Sequence, residues 1–268
     1  MAQISILGCG WLGFSLAEAL LAEGFSIKGS TTSEHKMEKL KHAGIDPYLL
    51  ELGSIKEIGR YGIEKFLAGS DTLIVNIPPK VRSNTSADYP SKINILLTAL
   101  KASTVKNVLF VSSTSVYADD DCLVTEETVA SPTTESGRQI LTAEELLQHE
   151  TSINLTILRF GGLIGEDRHP IRSLAGKSNI ANPDAPINLI QRNDCIEIMM
   201  KVVKDAAWNQ VFNAVYPDHP TRKEYYCTKA MQLNLPAPGF GTITEGGGKV
   251  ISSEKLRQQL NYRFSYPV

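Results

Sequence analysis

Short runs of β-branched and aliphatic residues alternate with stretches whose apolar residues recur at helical spacing along the first part of the chain. The runs Gln3–Leu7, Ser26–Ser30, Pro47–Leu50, Thr72–Ile77, Asn107–Ser112 and Leu155–Arg159 predict strands. Between them, Leu12–Glu23, Ser33–His42, Ala87–Ala102 and Thr133–His149 predict helices. Strands that alternate with helices build a parallel sheet covered on both faces, and the last two strands are continuous apolar runs suited to such burial. The pattern therefore predicts six strands of one doubly wound α/β sheet. Local signals agree: Gly24 and Gly44 fall just past helical patterns, where a C-terminal cap needs positive φ, and Ser33 and Asp88 stand where a short oxygen side chain can cap a helix start.

After Arg159 the texture changes. Gly161, Gly162, Gly165, Pro170, Gly176, Pro183 and Pro186 punctuate a loop-rich stretch, followed by a predicted helix Asn193–Lys204. A strand Val211–Val215, a helix Thr221–Leu233, the Gly/Pro-rich run from Pro236 to Gly248 and a helix Ser253–Leu260 complete the chain. The expected division is residues 1–160 as the parallel-sheet core and 161–268 as a mixed region that returns a helix and a strand to it and forms a small C-terminal, substrate-side lobe. No internal repeat or long polar linker interrupts this.

Composition narrows the function classes. With 268 residues, 42 % hydrophobic, 21 % charged and a formal charge of -2, the chain has no electrostatic footprint for nucleic acid or an anionic membrane. The apolar opening Met1–Leu21 is broken by Gly8, Gly10, Gly13 and Glu18, which predicts neither a signal peptide nor a membrane span, and so a cytoplasmic protein. Cys9, Cys122, Cys195 and Cys227 form no C-x-x-C pair and the histidines are scattered, so no metal site is expected.

Gly8-Cys9-Gly10-Trp11-Leu12-Gly13 matches G-x-G-x-x-G between an apolar strand and an amphipathic helix, the context in which this motif cradles a dinucleotide pyrophosphate. The first glycine permits the turn, the second lets backbone approach the phosphates, and the third lets the helix pack on the strand. An acid about 20 residues further on selects NAD. Here Ser30, Thr31, Thr32 and Ser33 stand in that region, with Lys28 and Lys36 nearby, which favours the 2′-phosphate of NADP; Glu34 leaves NAD possible, and the hydroxyls alternatively only form the turn. Asn76 and Pro78, at the end of the fourth predicted strand, are expected beside the cofactor, and Lys80 is a further candidate there.

Val111-Ser112-Ser113-Thr114-Ser115-Val116-Tyr117, Arg159-Phe160-Gly161-Gly162-Leu163-Ile164-Gly165 and Asn188-Leu189-Ile190-Gln191-Arg192-Asn193-Asp194 resemble ordered segments of the extended short-chain dehydrogenase/reductases, the NAD-dependent epimerase/dehydratase family. The resemblance covers nearly the whole chain. It implies a Rossmann-type fold, places Ser113 on the residue that hydrogen-bonds the substrate oxygen, and makes Arg168 and Arg192 candidates for gripping a polar or phosphorylated substrate. In that family a tyrosine, with a lysine one helical turn later, is the proton donor. The resemblance puts Ser136 and Ile140 on those positions, as in the atypical short-chain dehydrogenases that lack the pair. An aliphatic hydroxyl without a base is a very weak acid. Tyr117 is a candidate replacement, although its counterpart in the family is structural; Arg138 points well round the helix from Ser136 toward solvent or a neighbouring acid.

The expectation is an NAD(P)-dependent oxidoreductase or epimerase-like enzyme on a small polar substrate, monomeric or homodimeric, with a non-standard proton donor. The alternative is a non-catalytic NADP(H) sensor. Ser-His-Asp order, an H-E-x-x-H helix and a P-loop lysine are all missing from the sequence, which sets hydrolase and kinase chemistry aside.

Overall fold

A computed structural model describes residues 2–53, 58–79, 88–120, 122–242 and 248–268. In chain order its elements are β1 (Gln3–Leu7), α1 (Trp11–Ala22), β2 (Ser26–Thr31), α2 (Met37–His42), β3 (Asp46–Leu49), α3 (Ile58–Leu67), β4 (Thr72–Val75), α4 (Tyr89–Lys101), β5 (Asn107–Ser113), β6 (Cys122–Val124), α5 (Glu135–Gln148) and β7 (Asn154–Phe160). There follow β8 (Gly162–Ile164), α6 (Ile171–Leu174), β9 (Leu189–Gln191), α7 (Arg192–Lys204), β10 (Gln210–Ala214), α8 (Arg222–Gln232), β11 (Lys249–Ile251) and α9 (Glu254–Gln259).

The central sheet has seven strands in the order β10-β7-β5-β4-β1-β2-β3, and the run from β3 to β5 is parallel throughout. The strand order reverses between β1 and β4, which opens a crevice at their carboxyl ends in doubly wound sheets. The six expected strands are present, and the strand read at Val211–Val215 joins the same sheet at its edge. Burial explains why the sheet forms: Ile4, Ile6, Leu73, Ile74, Val75, Val108, Leu109 and Phe110 are all at most 1 % exposed, as strands covered on both faces require.

Two compact units partition the chain, and they interleave. The first comprises Met1–Ser113, Thr134–Arg159 and Ile196–Val211; the second comprises Thr114–Thr133, Phe160–Cys195 and Phe212–Val268. The sequence suggested one division near residue 160, whereas the chain enters each unit three times. The first unit has a core of Leu7, Phe66, Val75, Ile93, Leu96, Phe110, Leu147 and Ile157 among others. The second packs Ile164, Ile171, Ile187, Leu189, Tyr225, Tyr226 and Ala230 together.

Several local features differ from the sequence reading. Helix α3 was not expected; Gly59 and Gly62 lower its propensity, but Ile63, Phe66 and Leu67 are buried and tertiary packing prevails. The helix expected from Ser33 opens as a 3₁₀ turn over Glu34–Lys36, and the Ser33 side chain makes no capping bond. Asp88 does cap α4, accepting from Ser91 Oγ and from Ser91 N at 3.0 Å, and these two hydrogen bonds hold its carboxyl below the usual carboxylate range. Gly24 and Gly44 have φ of 87° and 81°, as their positions past α1 and α2 required. The fourth strand ends at Val75 rather than Ile77. The short strands β8 and β9 and the single turn α6 lie in the stretch read as loop-rich, and β6 and β11 lie where no element was expected.

Candidate dinucleotide-binding site

In the first unit, the turn from β1 into α1 is braced from three sides. Gly8 N donates to Ser30 Oγ at 2.8 Å, Cys9 N to Ser30 O at 2.8 Å, and Asn76 Nδ2 to Gly8 O at 2.9 Å. The three glycines have separable reasons. Gly8 has φ of 105°, and a Cβ there would sit 2.6 Å from Asn76 O. A Cβ on Gly13 would sit 2.2 Å from Gly8 O and 2.8 Å from Asn76 Nδ2, so α1 can lie this close only without a side chain. Gly10 is different: its φ is -84°, which any L-residue adopts, and a Cβ there meets nothing within 4 Å. Neither a positive φ nor the packing of the protein requires glycine at position 10.

Gly10 opens onto a cleft of about 790 Å³, partly continuous with solvent, lined by Gly8, Cys9, Ser30, Thr31, Thr32, Ser33, Lys36, Asn76, Ile77 and Pro78 and by Leu50, Glu51, Leu52 and Lys92. The first helical bond of α1 is donated by Phe14 to Gly10 O, so the amides ahead of it belong to the positive end of the helix beside the cleft. Leu12 is buried and Gly13 packs on the turn; neither lines the cleft, while Trp11 begins the helix half-buried. The Cys9 side chain fills space above Gly29, where a Cβ would lie 2.7 Å from its Sγ, and burial pushes its thiol up to about 12. It is packing, not a nucleophile.

The candidates for the adenosine end divide. Ser30 accepts from Gly8 N and Thr31 Oγ1 accepts from Ser33 N at 3.1 Å, so both serve the turn. Thr32, Ser33 and Lys36 line the cleft. Lys28 does not: its ammonium donates to Ala68 O at 2.6 Å and Lys65 O at 3.1 Å beneath the Tyr48 ring, and burial lowers its pKa. The sequence reading missed Leu50, Glu51, Leu52 and Lys92. For Leu50, Glu51 and Leu52 strand order carries a signal, since they follow the third parallel strand at the same end of the sheet; Lys92 comes from α4. Lys80 lies outside the described residues.

Ser113 ends β5, half-buried. Ser136 is the second residue of α5, whose N-terminus is capped by Thr134 Oγ1 accepting from Gly137 N at 3.1 Å; Ile140, one turn on, is buried. Arg138 pairs with Glu135 at 3.0 Å on the exposed side, as expected. Beneath lies a network that sequence reasoning passed over: Glu144 of α5, fully buried, accepts from Arg159 Nε of β7 at 3.0 and 3.2 Å and from Ser112 Oγ of β5. Glu144 was legible as the one carboxylate on the buried stripe Ile140, Ala143, Leu147.

The second unit holds the other candidates. Tyr117 is 1 % exposed and its hydroxyl donates to Asn213 Oδ1 at 3.0 Å, while its carbonyl accepts from Lys249 Nζ at 2.7 Å. This phenol is a strut. Arg168 is exposed in a tight turn closed by Gly165 N to Arg168 O at 2.8 Å, and Arg192, first residue of α7, pairs with Asp167 at 3.6 Å. Among the described residues, no group of three or more His, Cys, Asp or Glu side chains is placed to hold a metal, and no helix is long and apolar enough to cross a membrane.

A parallel sheet in this order, with a glycine turn and an open cleft at its switch point, defines a Rossmann-type nucleotide-binding protein. The chain belongs to the NAD(P)H-binding family, which matches residues 8–206. It is 31 % identical to Protein YeeZ of Escherichia coli (strain K12) over 270 residues, covering 100 % of this chain and 97 % of that one. A UDP-glucose 4-epimerase from Yersinia pestis is 37 % identical over 87 residues, 27 % of this chain and 26 % of that protein. Among solved structures, UDP-glucuronic acid 4-epimerase from Bacillus cereus in complex with NAD aligns with a TM-score of 0.82 at 16 % identity, covering 99 % of this chain and 92 % of that one. A short-chain dehydrogenase/reductase superfamily protein from Agrobacterium tumefaciens with bound NAD gives 0.80 at 17 % identity, covering 99 % and 93 %. These structural likenesses establish the fold.

Proposed function

We propose that this chain binds NADP(H) in the cleft of the first unit and acts as an oxidoreductase or epimerase-like enzyme on a small polar substrate. The observation that carries the binding half is Gly10: a position with ordinary φ and empty space around its missing Cβ is kept side-chain-free for something outside the protein. A pyrophosphate against the amides at the start of α1 is that something. The preference for NADP over NAD rests on Thr32, Ser33 and Lys36, two hydroxyls and a cation lining the cleft, of which Ser33 spends no side-chain bond on capping. When bound, the nicotinamide supplies hydride donor or acceptor chemistry.

The chain's own residues orient and exclude. Ser113, at the end of β5, is the hydroxyl that orients the substrate oxygen. Ser136 and Ile140 take the places of the family's tyrosine and lysine, so no phenol of lowered pKa is supplied from α5. In the second unit Arg168 and Arg192 are the cations for a polar or phosphorylated substrate, Arg192 exchanging Asp167 for it. The UDP-sugar epimerases among the relatives act, by their names, on substrates of that polarity.

The test is a calorimetric titration with NADPH, NADH, NADP and NAD, followed by a screen for oxidation of bound NADPH against a panel of carbonyl compounds. Preference for the phosphorylated dinucleotide with substrate-dependent oxidation is the expected result. Binding without oxidation by any carbonyl overturns the enzymatic half, and failure to bind overturns both halves.

A further inference from the structure

In the second unit, one face of α8 carries Arg222, Tyr225, Tyr226 and Lys229 at successive helical-turn spacings. It packs against α6 and against His169, two residues before that helix. The His169 ring stacks on Tyr225 with centroids 5.8 Å apart at 23°, and meets Tyr226 edge-on at 6.5 Å. Ile171 N donates to His169 Nδ1 at 3.1 Å, which fixes the neutral tautomer with its hydrogen on Nε2. That hydrogen is then donated to Tyr225 Oη, 2.9 Å away. Tyr225 is therefore the acceptor in the pair, and its own O–H is turned toward other partners.

The charges that act on His169 and Tyr226 are cations. Lys229 and Arg172 act on His169 and, after burial, are the causes that lower its pKa to about 4; Arg222 acts on Tyr226. Lys229 lies 5.5 Å over the Tyr225 ring. Among the described residues none of these three cations has an ion pair, and Arg222 Nε is buried without a hydrogen-bond partner. A buried guanidinium nitrogen left unsatisfied is costly in a folded protein. The face thus offers three cations and a hydroxyl donor on an aromatic floor.

We propose that this α6–α8 face is an anion site, built by Arg172, Arg222, Tyr225 and Lys229, for the phosphate group of a phosphorylated small molecule. Several donors on separate elements suit a dianion with many acceptor oxygens better than a carboxylate with two. The site belongs wholly to the second unit.

Inorganic phosphate is the probe, added to the full chain at constant ionic strength against chloride and acetate. Millimolar phosphate should raise the Tm. It should also raise the pKa of His169 from its value near 4, followed by its ring proton resonance, because an anion offsets the repulsion by Lys229 and Arg172 that helps keep the ring neutral. Arg222→Met and Lys229→Gln should each weaken the response about 10-fold, the loss of roughly one charge-assisted hydrogen bond, and leave NADPH affinity unchanged. Lys229→Gln, at the half-buried end of the face, carries the test if Arg222→Met does not fold. Equal effects of chloride and phosphate, a response that survives the substitutions, or an unmoved His169 titration would overturn the proposal.

Discussion

Replacing Gly10 separates what the fold needs from what the ligand needs. Gly10→Ala adds a methyl group at φ of -84° with nothing within 4 Å. Removing glycine from a compatible position stabilises by ~0.4–1 kcal/mol through the unfolded chain, and placing alanine at an N-cap costs a similar amount. The two nearly cancel, so the Tm should move by less than about 4 °C; Gly10→Val, with a larger group in the same open space, should behave alike. Dinucleotide binding should not survive. The side chain occupies the approach to the helix amides, and losing two N–H bonds to phosphate at ~1.5–3 kcal/mol each weakens affinity by ~10²-fold or more. Gly13→Ala is the contrasting variant. Its Cβ is aimed at Gly8 O, 2.2 Å away, so the turn itself must shift, at a cost of ~1–3 kcal/mol and a fall of roughly 2–10 °C in Tm.

Calorimetry with NADPH gives the affinities, and energy transfer from Trp11, which begins α1, to the reduced nicotinamide gives an independent reading. Scanning calorimetry gives the stabilities. If Gly10→Val keeps NADPH affinity within about twofold, the pyrophosphate does not approach this turn and the assignment fails. Should Gly10→Val instead lose as much Tm as Gly13→Ala, glycine is needed there for the fold, and the argument from empty space is wrong.

Other perturbations address the remaining parts. His169, neutral with a pKa near 4 against 6.5 unfolded, binds fewer protons folded than unfolded between those values. The Tm should therefore fall as pH drops from 6.5 toward 4, and less steeply in His169→Gln, measured by scanning calorimetry across that window. Tyr117→Phe removes the donor to Asn213 Oδ1 in a buried place, so unfolding in urea should show a loss of ~1–3 kcal/mol with NADPH affinity unchanged; a changed affinity would contradict the strut assignment. Glu144→Ala leaves Arg159 buried without its carboxylate and should cost ~3–5 kcal/mol in the same assay. Ser136→Tyr with Ile140→Lys should not create carbonyl reduction, since Ile140 lies on the buried stripe of α5 where an ammonium is costly; a gain of reductase activity would show that only the proton donor had been lost.

The sheet was legible because strands buried on both faces must be continuous apolar runs, and the G-x-G-x-x-G context placed the turn that meets the cleft. What escaped were features set by tertiary contact. Helix α3 carries two glycines and forms because Phe66 and Leu67 reach the core. Lys28 reads as a cofactor cation by sequence position, yet alternation along β2 turns its ammonium to the carbonyls of Lys65 and Ala68. Leu50, Glu51 and Leu52 join the cleft through strand order, which periodicity does not encode, and Lys92 joins it from α4. The β6–β11 and β8–β9 pairs are three residues long on each side, too short for alternation to register.

Binding and chemistry are unequally furnished in this chain. The glycine turn is held by three hydrogen bonds and leaves open space beside Gly10. On the catalytic side, the proposed reading puts the aliphatic hydroxyls Ser113 and Ser136 on the family's positions, and the phenol nearest them in sequence, Tyr117, donates its hydrogen bond to Asn213 Oδ1. A positioned acid contributes ~10²–10⁴ in rate. On the proposed reading the substrate must supply part of that itself, through a leaving group or an acidic proton of its own. Such a substrate gains more from being held than from being protonated.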